Sequence, residues 1–200
     1  MQVEALRSKA NEGRVNSPLT RFEAIAAHIW RCAARAWAGD GGKEIRLGMS
    51  VEFRSRIGLP KSYLGNAVLD VVACCASGQL VSQPLGQAAG KLREALKKVD
   101  GEYLENTCGF LKGVQDLSCF QDQEQEQMSR RKVLVTSWLT LELEGVDFGW
   151  GKEASVVPVE YGHAGECLIQ NDKARSGSVV VVVCLQDSHI QPFTDFFLQY

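Results

Sequence analysis

The chain has 200 residues, room for one layered domain with a core of its own. Hydrophobic residues make up 45% and charged residues 23%, a globular balance that excludes a disordered, collagenous or disulfide-scaffold chain. With 22 Lys and Arg against 24 Asp and Glu, the formal charge is -2, and no long-range field draws in nucleic acid or an anionic membrane. The seven cysteines are scattered, with one adjacent pair and no CxxC spacing, which reads as reduced thiols and not as bridges or a zinc site. The opening residues MQVEALRSKANEGRVN have no apolar signal region. The longest apolar run, Val179 to Leu185, is far short of the roughly 20 residues that span a bilayer, so the expectation is a cytoplasmic chain with no membrane partner.

In chain order, Phe22, Ile25, Ala26, Ile29, Trp30, Ala33 and Trp37 recur at helical spacing and predict an amphipathic helix. Thr20 and Glu23 form a capping box at its start, and Gly39-Asp40-Gly41-Gly42 is its expected stop. Ile45, Leu47, Met49, Val51 and Phe53 alternate with polar or small residues, the signature of a half-buried strand. After the Pro- and Gly-bearing loop RSRIGLPKSYLGN comes AVLDVVACCA, whose near-continuous apolar character predicts a strand covered on both faces and hence a sandwiched sheet. Leu85, Ala88, Ala89, Leu92, Ala95, Leu96 and Val99 form a second helical stripe. Tyr103, Leu104, Cys108, Leu111, Val114 and Leu117 form a third, after a break at Asp100-Gly101. QDQEQEQ, residues 121 to 127, reads as a solvated loop. VLVTSWLTLEL, SVVPVE and SVVVVVCLQ are β-rich, and Ser188 to Leu198 closes the chain as an amphipathic stretch. The mixed order of helices and strands predicts an α/β fold.

Self-contained chemistry is hard to find. Asp147-Phe148-Gly149 matches the magnesium-holding tripeptide of kinases, but the glycine-rich loop, the strand lysine and the catalytic-loop motif that must accompany it are missing. Walker A, G-x-S-x-G and H-E-x-x-H motifs are absent as well, and no metal ligand set is predicted. His28, inside the first predicted helix, reads as a hydrogen-bonded packing residue. His163 falls in a Gly-flanked turn and His189 near the start of the last helix.

Five segments taken together carry more: SPLTRFEAIAAHIWRC, RSRIGLPKSYLGN, TSW at 136 to 138, DFGWG at 147 to 151, and LQDSHIQPFTDFF near the end. In this order they resemble the C-terminal half of plant BAHD acyltransferases, most nearly the hydroxycinnamoyltransferase branch. The resemblance spans essentially the whole chain. It implies a single chloramphenicol-acetyltransferase-like domain over residues 1 to 200, with a mixed β-sheet and helices packed on it. It also implies transfer of an acyl group, hydroxycinnamoyl in class, from acyl-CoA to a hydroxyl or amine acceptor, with the CoA thioester as co-substrate and no bound cofactor. The family's other signature, HxxxD, supplies the general-base histidine and belongs to the N-terminal half. Here His28 is followed four residues on by Cys32, His163 by Cys167 and His189 by Phe193. The expectation is therefore a truncated chain without the HxxxD domain and without appreciable turnover alone. The alternative is a catalytically silent fragment that binds CoA or associates with full-length relatives through an exposed interdomain face.

The same resemblance marks site residues. In DFGWG, Gly149 and Gly151 would permit tight turns, Phe148 and Trp150 would supply apolar area, and Asp147 would be structural or a proton acceptor. As a structural group it would accept backbone N–H bonds or pair with Arg54 or Arg56. Thr136 and Trp138 match residues that line the acceptor pocket, although on their spacing alone they are an ordinary half-buried strand. Gln123 stands near where shikimate-using members carry an arginine, which favours an amine or neutral hydroxyl acceptor. For the CoA phosphates the candidates are Ser17, Thr20 and Arg21 at a helix start, with Arg7 and Lys9 upstream. Thr20 as a plain cap is the competing reading.

Overall fold

The computed structural model describes residues 3–37, 43–116, 118, 131–141, 145, 147–153, 156, 158, 162–172 and 174–199. Helix α1 (Val3–Ala10) precedes the first predicted element, and its Val3, Leu6 and Ala10 are buried. Helix α2 (Arg21–Ala36) carries the expected capping box: Glu23 N–H donates to Thr20 Oγ1 and Thr20 N–H to Glu23 Oε2, 3.2 and 2.7 Å apart. The predicted Gly-rich stop lies outside the described residues.

Periodicity gave α2 a single apolar face, but twelve of its sixteen residues are buried, among them Glu23, His28, Arg31 and Cys32. The reason is its position at the centre of the layer, against α1, α3 (Ser77–Ser82), α4 (Leu85–Lys97), α6 (Asp187–Phe197) and a strand of the sheet. A helix with neighbours on every side must bury its polar face too, so each polar group there needs a partner. Arg31 finds two, donating from Nε to Leu80 O and from Nη2 to Gln83 O at 2.9 and 2.6 Å, where α3 ends with unsatisfied carbonyls.

Among the described residues the sheet has five strands, in the order β2-β1-β3-β4-β5. β1 (Glu44–Glu52) pairs antiparallel with β2 (Val68–Ala76) and parallel with β3 (Lys132–Ser137). β3 pairs parallel with β4 (Glu166–Asn171), and β4 antiparallel with β5 (Val179–Val183). The sandwiched sheet is corrected at β2. Val71, Ala73 and Cys75 are buried, whereas Val68 and Val72 are each 44% exposed and Cys74 is exposed, so helices cover β2 on one face only. Its apolar run therefore does not come from two-sided burial. β4 carries no strand signature, because Glu-Cys-Leu-Ile-Gln-Asn is short and does not alternate, yet its Cys167, Leu168 and Ile169 are among the most buried residues of the sheet. The SVVPVE stretch lies largely outside the described residues, as does QDQEQEQ.

The second and third helical stripes fare differently. Leu85, Ala88, Ala89, Leu92 and Ala95 of α4 are buried as expected. α5 (Gly101–Gly113) forms where Asp100 accepts from Tyr103 N–H, 2.8 Å, but buries only Leu104, leaving Leu111 43% exposed. Its periodic stripe is correct as a helix and wrong as core.

Candidate functional site

The residues singled out by the sequence fall in three separate places. The first is the end of β3. Val133 and Val135 point into the core with α2, so by strand alternation Leu134 and Thr136 occupy the opposite face. Leu134 lies across Gly48, where a Cβ would come within 2.9 Å of its Cδ1. Thr136 is half-buried opposite Leu168 of β4, and no described residue bonds its hydroxyl. The strand proper ends at Ser137, but Trp138 N–H continues the ladder to Ile169 O at 2.8 Å, and its side chain is half-buried. Among the described residues, the face of the sheet opposite α2 thus presents a hydroxyl that bonds none of them, two residues from an indole.

The second is DFGWG, an Asx-type turn. Asp147 Oδ1 accepts from Gly149 N–H at 2.7 Å and from Gly151 N–H at 3.1 Å. Gly149 and Gly151 have φ of 96° and 102°, a region that side-chain-bearing residues rarely enter. Of the two structural roles, Asp147 takes the backbone one. Arg54 instead holds Tyr63 O and Gly65 O at 3.1 and 2.7 Å, and Arg56 holds Leu96 O and Val99 O at 2.9 and 2.6 Å. Phe148 and Trp150 are 81% and 94% exposed, so their apolar area is presented outward and not spent on this domain's core.

The third is the start of α2. Thr20 Oγ1 lies 2.9 Å from Glu23 Oε2 and also receives Glu23 N–H, so its hydroxyl is fully engaged. Ser17, at a left-handed φ of 54°, accepts at its hydroxyl and its carbonyl from Arg93 Nη1. Arg21 makes only long contacts, 3.5 Å to Gly177 O and 3.8 Å to Glu4 Oε1. Glu23 is buried, and burial alone would raise its carboxyl. Bonds from Arg93, from Thr20 N–H and from the Thr20 hydroxyl outweigh that and hold it below the usual carboxylate range. The helix N-terminus thus already has its anion, supplied by the chain itself. Arg93 adjoins this helix start from α4, and nothing near position 93 in the sequence signals a partner 70 residues away.

His28 and Cys32 stand one helical turn apart on α2, a spacing that could make a thiol–imidazole pair. Cys32 Sγ lies 3.7 and 3.8 Å from the two ring nitrogens. Burial, however, pushes the thiol up to about 12 and the imidazole down to about 4, so both are neutral at pH 7. A neutral thiol is no nucleophile. His28 Nε2 sits 3.1 Å from Phe197 O, which makes it the hydrogen-bonded packing residue expected.

The sequence model of the Transferase family matches residues 1–199. The chain belongs to this family, the BAHD acyltransferases. It is 34% identical to hydroxycinnamoyl-CoA:piscidic acid hydroxycinnamoyltransferase of Actaea racemosa, over 99% of the chain and 47% of that protein. With anthranilate N-benzoyltransferase protein 3 of Dianthus caryophyllus it shares 31% identity, over 100% of the chain and 45% of that protein. The BAHD chain therefore spans about half the length of the curated relatives it matches. The crystal structure of F. sporotrichioides TRI101 complexed with coenzyme A and T-2 superposes with a TM-score of 0.82 at 17% identity, covering 97% of this chain and 46% of that one. That likeness establishes the fold: one BAHD-type α/β layer with a mixed five-stranded sheet.

Proposed function

We propose that residues 1 to 200 form the C-terminal half of a CoA-dependent acyltransferase. Its reaction moves a hydroxycinnamoyl- or benzoyl-class group from a CoA thioester to a hydroxyl or amine acceptor. The observation that carries this reading is the family match along the whole chain, together with the family-ordered motifs. The relatives' names supply the donor class, and their acceptors range from piscidic acid to anthranilate.

Within this half, Thr136 and Trp138 are the acceptor-side groups. A hydroxyl that bonds no described residue can donate to a developing oxyanion, and an indole can bound an aromatic acyl or acceptor group. Asp147 is a turn organiser: its Oδ1 is already committed to two N–H donors, which makes it a poor base. Of Ser17, Thr20 and Arg21, Arg21 is the one with a charge left to offer a CoA phosphate.

None of the three histidines, His28, His163 and His189, stands in the family's HxxxD pattern. His28 is buried and hard to protonate, and Cys32 is a neutral thiol. Positioned general-base catalysis is worth on the order of 10²–10⁴-fold, so residues 1 to 200 alone should not turn over. The test is release of free CoA by purified residues 1 to 200 from p-coumaroyl-CoA, with anthranilate, shikimate and piscidic acid offered in turn. A rate equal to the protein-free blank is expected. Clear turnover that responds to Thr136→Val would overturn the assignment of the base to another part of the enzyme.

A further inference from the structure

Between α1 and α2 the chain crosses the surface. Residues Glu12 to Pro18 are all exposed, Val15 at 93%, and Leu19 is the first buried side chain after them. Ser17 stands in the middle of the crossing from α1 to the helix start, at a left-handed φ of 54°. Two preferences oppose that conformation. A side-chain-bearing residue rarely enters it, and a residue before proline favours extended backbone. Arg93 holds Ser17 there, with Nη1 donating to Ser17 O and, at 3.0 Å, to its Oγ. Once that contact lets go, the segment relaxes toward an extended strand.

The sequence sets Ser17 apart as well. Of the five prolines, Pro18 alone follows a serine or threonine; the others follow Leu59, Gln83, Val157 and Gln191. An exposed Ser-Pro dipeptide in a loop that readily extends is what a proline-directed protein kinase requires of its substrate.

The donors of Arg93 are divided so that an anion at residue 17 has a place. Nε and Nη2 face Glu23 at 2.7 and 2.6 Å, while Nη1 faces Ser17, so the guanidinium presents a separate edge to each side. Arg14 brings a second cation to the same face of α4. Its Nη1 lies 3.8 Å from the position of a Cβ on Gly90, one helical turn before Arg93. Arg21 opens α2 four residues after Ser17. Glu23 on the far edge of Arg93, and Glu4 at 3.8 Å from Arg21, are the carboxylates that offset these charges.

We propose that Ser17 is a phosphorylation site for a proline-directed protein kinase, and that its phosphate seats on Nη1 of Arg93. Ser17 Oγ attacks the γ-phosphorus of ATP. The Oγ–P bond forms as the bond to the β,γ-bridging oxygen breaks, ADP leaves, and the hydroxyl proton passes to the base of the kinase. A neutral hydroxyl contact thereby becomes a charge-assisted one, since the phosphate carries about -1.5 to -2 charges at pH 7. Neither the modification nor the seat depends on the acyl-transfer reaction.

The experiment incubates purified residues 1 to 200 with magnesium ATP and a mitogen-activated protein kinase, and maps the modified peptides by mass spectrometry. Phosphate should go to Ser17 of the folded chain, and Ser17→Ala should abolish its incorporation. The modified chain is then titrated by phosphorus NMR beside the free phosphopeptide of residues 14 to 20. A guanidinium favours the dianion, so the phosphate on the folded chain should bind its proton about threefold or more weakly than in the peptide. Arg93→Gln should remove that difference and Arg21→Gln should leave it. The site is refuted if Ser17 stays unmodified or is modified only in urea. The seat is refuted if the phosphate titrates as in the peptide, or if Arg21→Gln and not Arg93→Gln removes the difference. Comparison of the wild-type chain with the peptide decides the matter even where Arg93→Gln fails to fold.

Discussion

Arg93 of α4 grips Glu23 of α2 with two bonds, Nε to Oε1 at 2.7 Å and Nη2 to Oε2 at 2.6 Å. The same guanidinium reaches Ser17 O and, at 2.8 Å, Pro18 O, so one side chain ties two helices to the loop that enters the second. Both partners are nearly buried, with side chains 13% and 6% exposed. Such a pair adds little net stability when intact but is costly to break, because the surviving charge stays in the core.

Arg93→Met should therefore lower the unfolding free energy by about 3 kcal/mol, the usual cost of leaving one partner of a buried pair. Adding Glu23→Gln should restore part of the loss, since the amide can still accept from Thr20 N–H without an uncompensated charge. Urea unfolding of the two variants checks both signs. A double variant weaker than Arg93→Met would show that the capping bonds, and not the charge, dominate.

Acid should weaken the fold in two stages. His28 titrates near 6.5 when unfolded and about 4 when folded, so its contribution is complete above pH 6.5 and lost as pH falls toward 4. A shift of that size corresponds to about 3 kcal/mol. Glu23 lies below the ordinary carboxylate range, so its share persists above that range and disappears only as pH falls through the depressed value. Chemical denaturation at closely spaced pH values should show the first stage abolished by His28→Gln and the second by Glu23→Gln.

Gly165 joins the turn before β4 to two strands, giving its carbonyl to Leu134 N–H at 2.9 Å and its N–H to Cys184 O at 2.7 Å. Its φ is 100°, and a Cβ there would collide with Lys132 O. Gly165→Ala should cost about 2 kcal/mol or more, from overpacking and a strained backbone together. Gly109, inside α5 with open space around it, is the opposite case. Gly109→Ala should stabilise by roughly 0.5–1 kcal/mol. Thermal unfolding midpoints should move in opposite directions.

Asp147→Ala removes the acceptor from both glycine N–H groups of the DFGWG turn. Because the turn is exposed, the unfolding midpoint should barely move, while amide exchange at Gly149 and Gly151 should accelerate. Asp147→Asn, which keeps a side-chain carbonyl, should retain most of the protection. A large fall in the unfolding midpoint for Asp147→Ala would show that the turn supports the core.

Elements with a local cause were legible. The α2 start was readable because a capping box acts within three residues, and α4 because its apolar face repeats every turn. The DFGWG turn was readable as a glycine-dependent turn, but not which partner Asp147 would choose. β4 and the lopsided burial of β2 were not readable, since a short strand's identity and an edge strand's open face depend on neighbours distant in sequence. The same holds for the candidate site. Thr136 and Trp138 could be named from the motif order, but their place on the sheet face opposite the helices follows only from the pairing of β3 between β1 and β4.

By itself, then, the sequence determined the family, the α/β class and the local turns and caps, because each rests on residues within one turn or one motif of each other. The tertiary structure decided the rest. It made α2 a central helix, committed Arg31, Arg54, Arg56 and Arg93 to backbone carbonyls or carboxylates of other segments, and buried His28 and Cys32 as neutral packing groups. Those outcomes depend on desolvation and on partners tens of residues away, and both come into being only when the layers close.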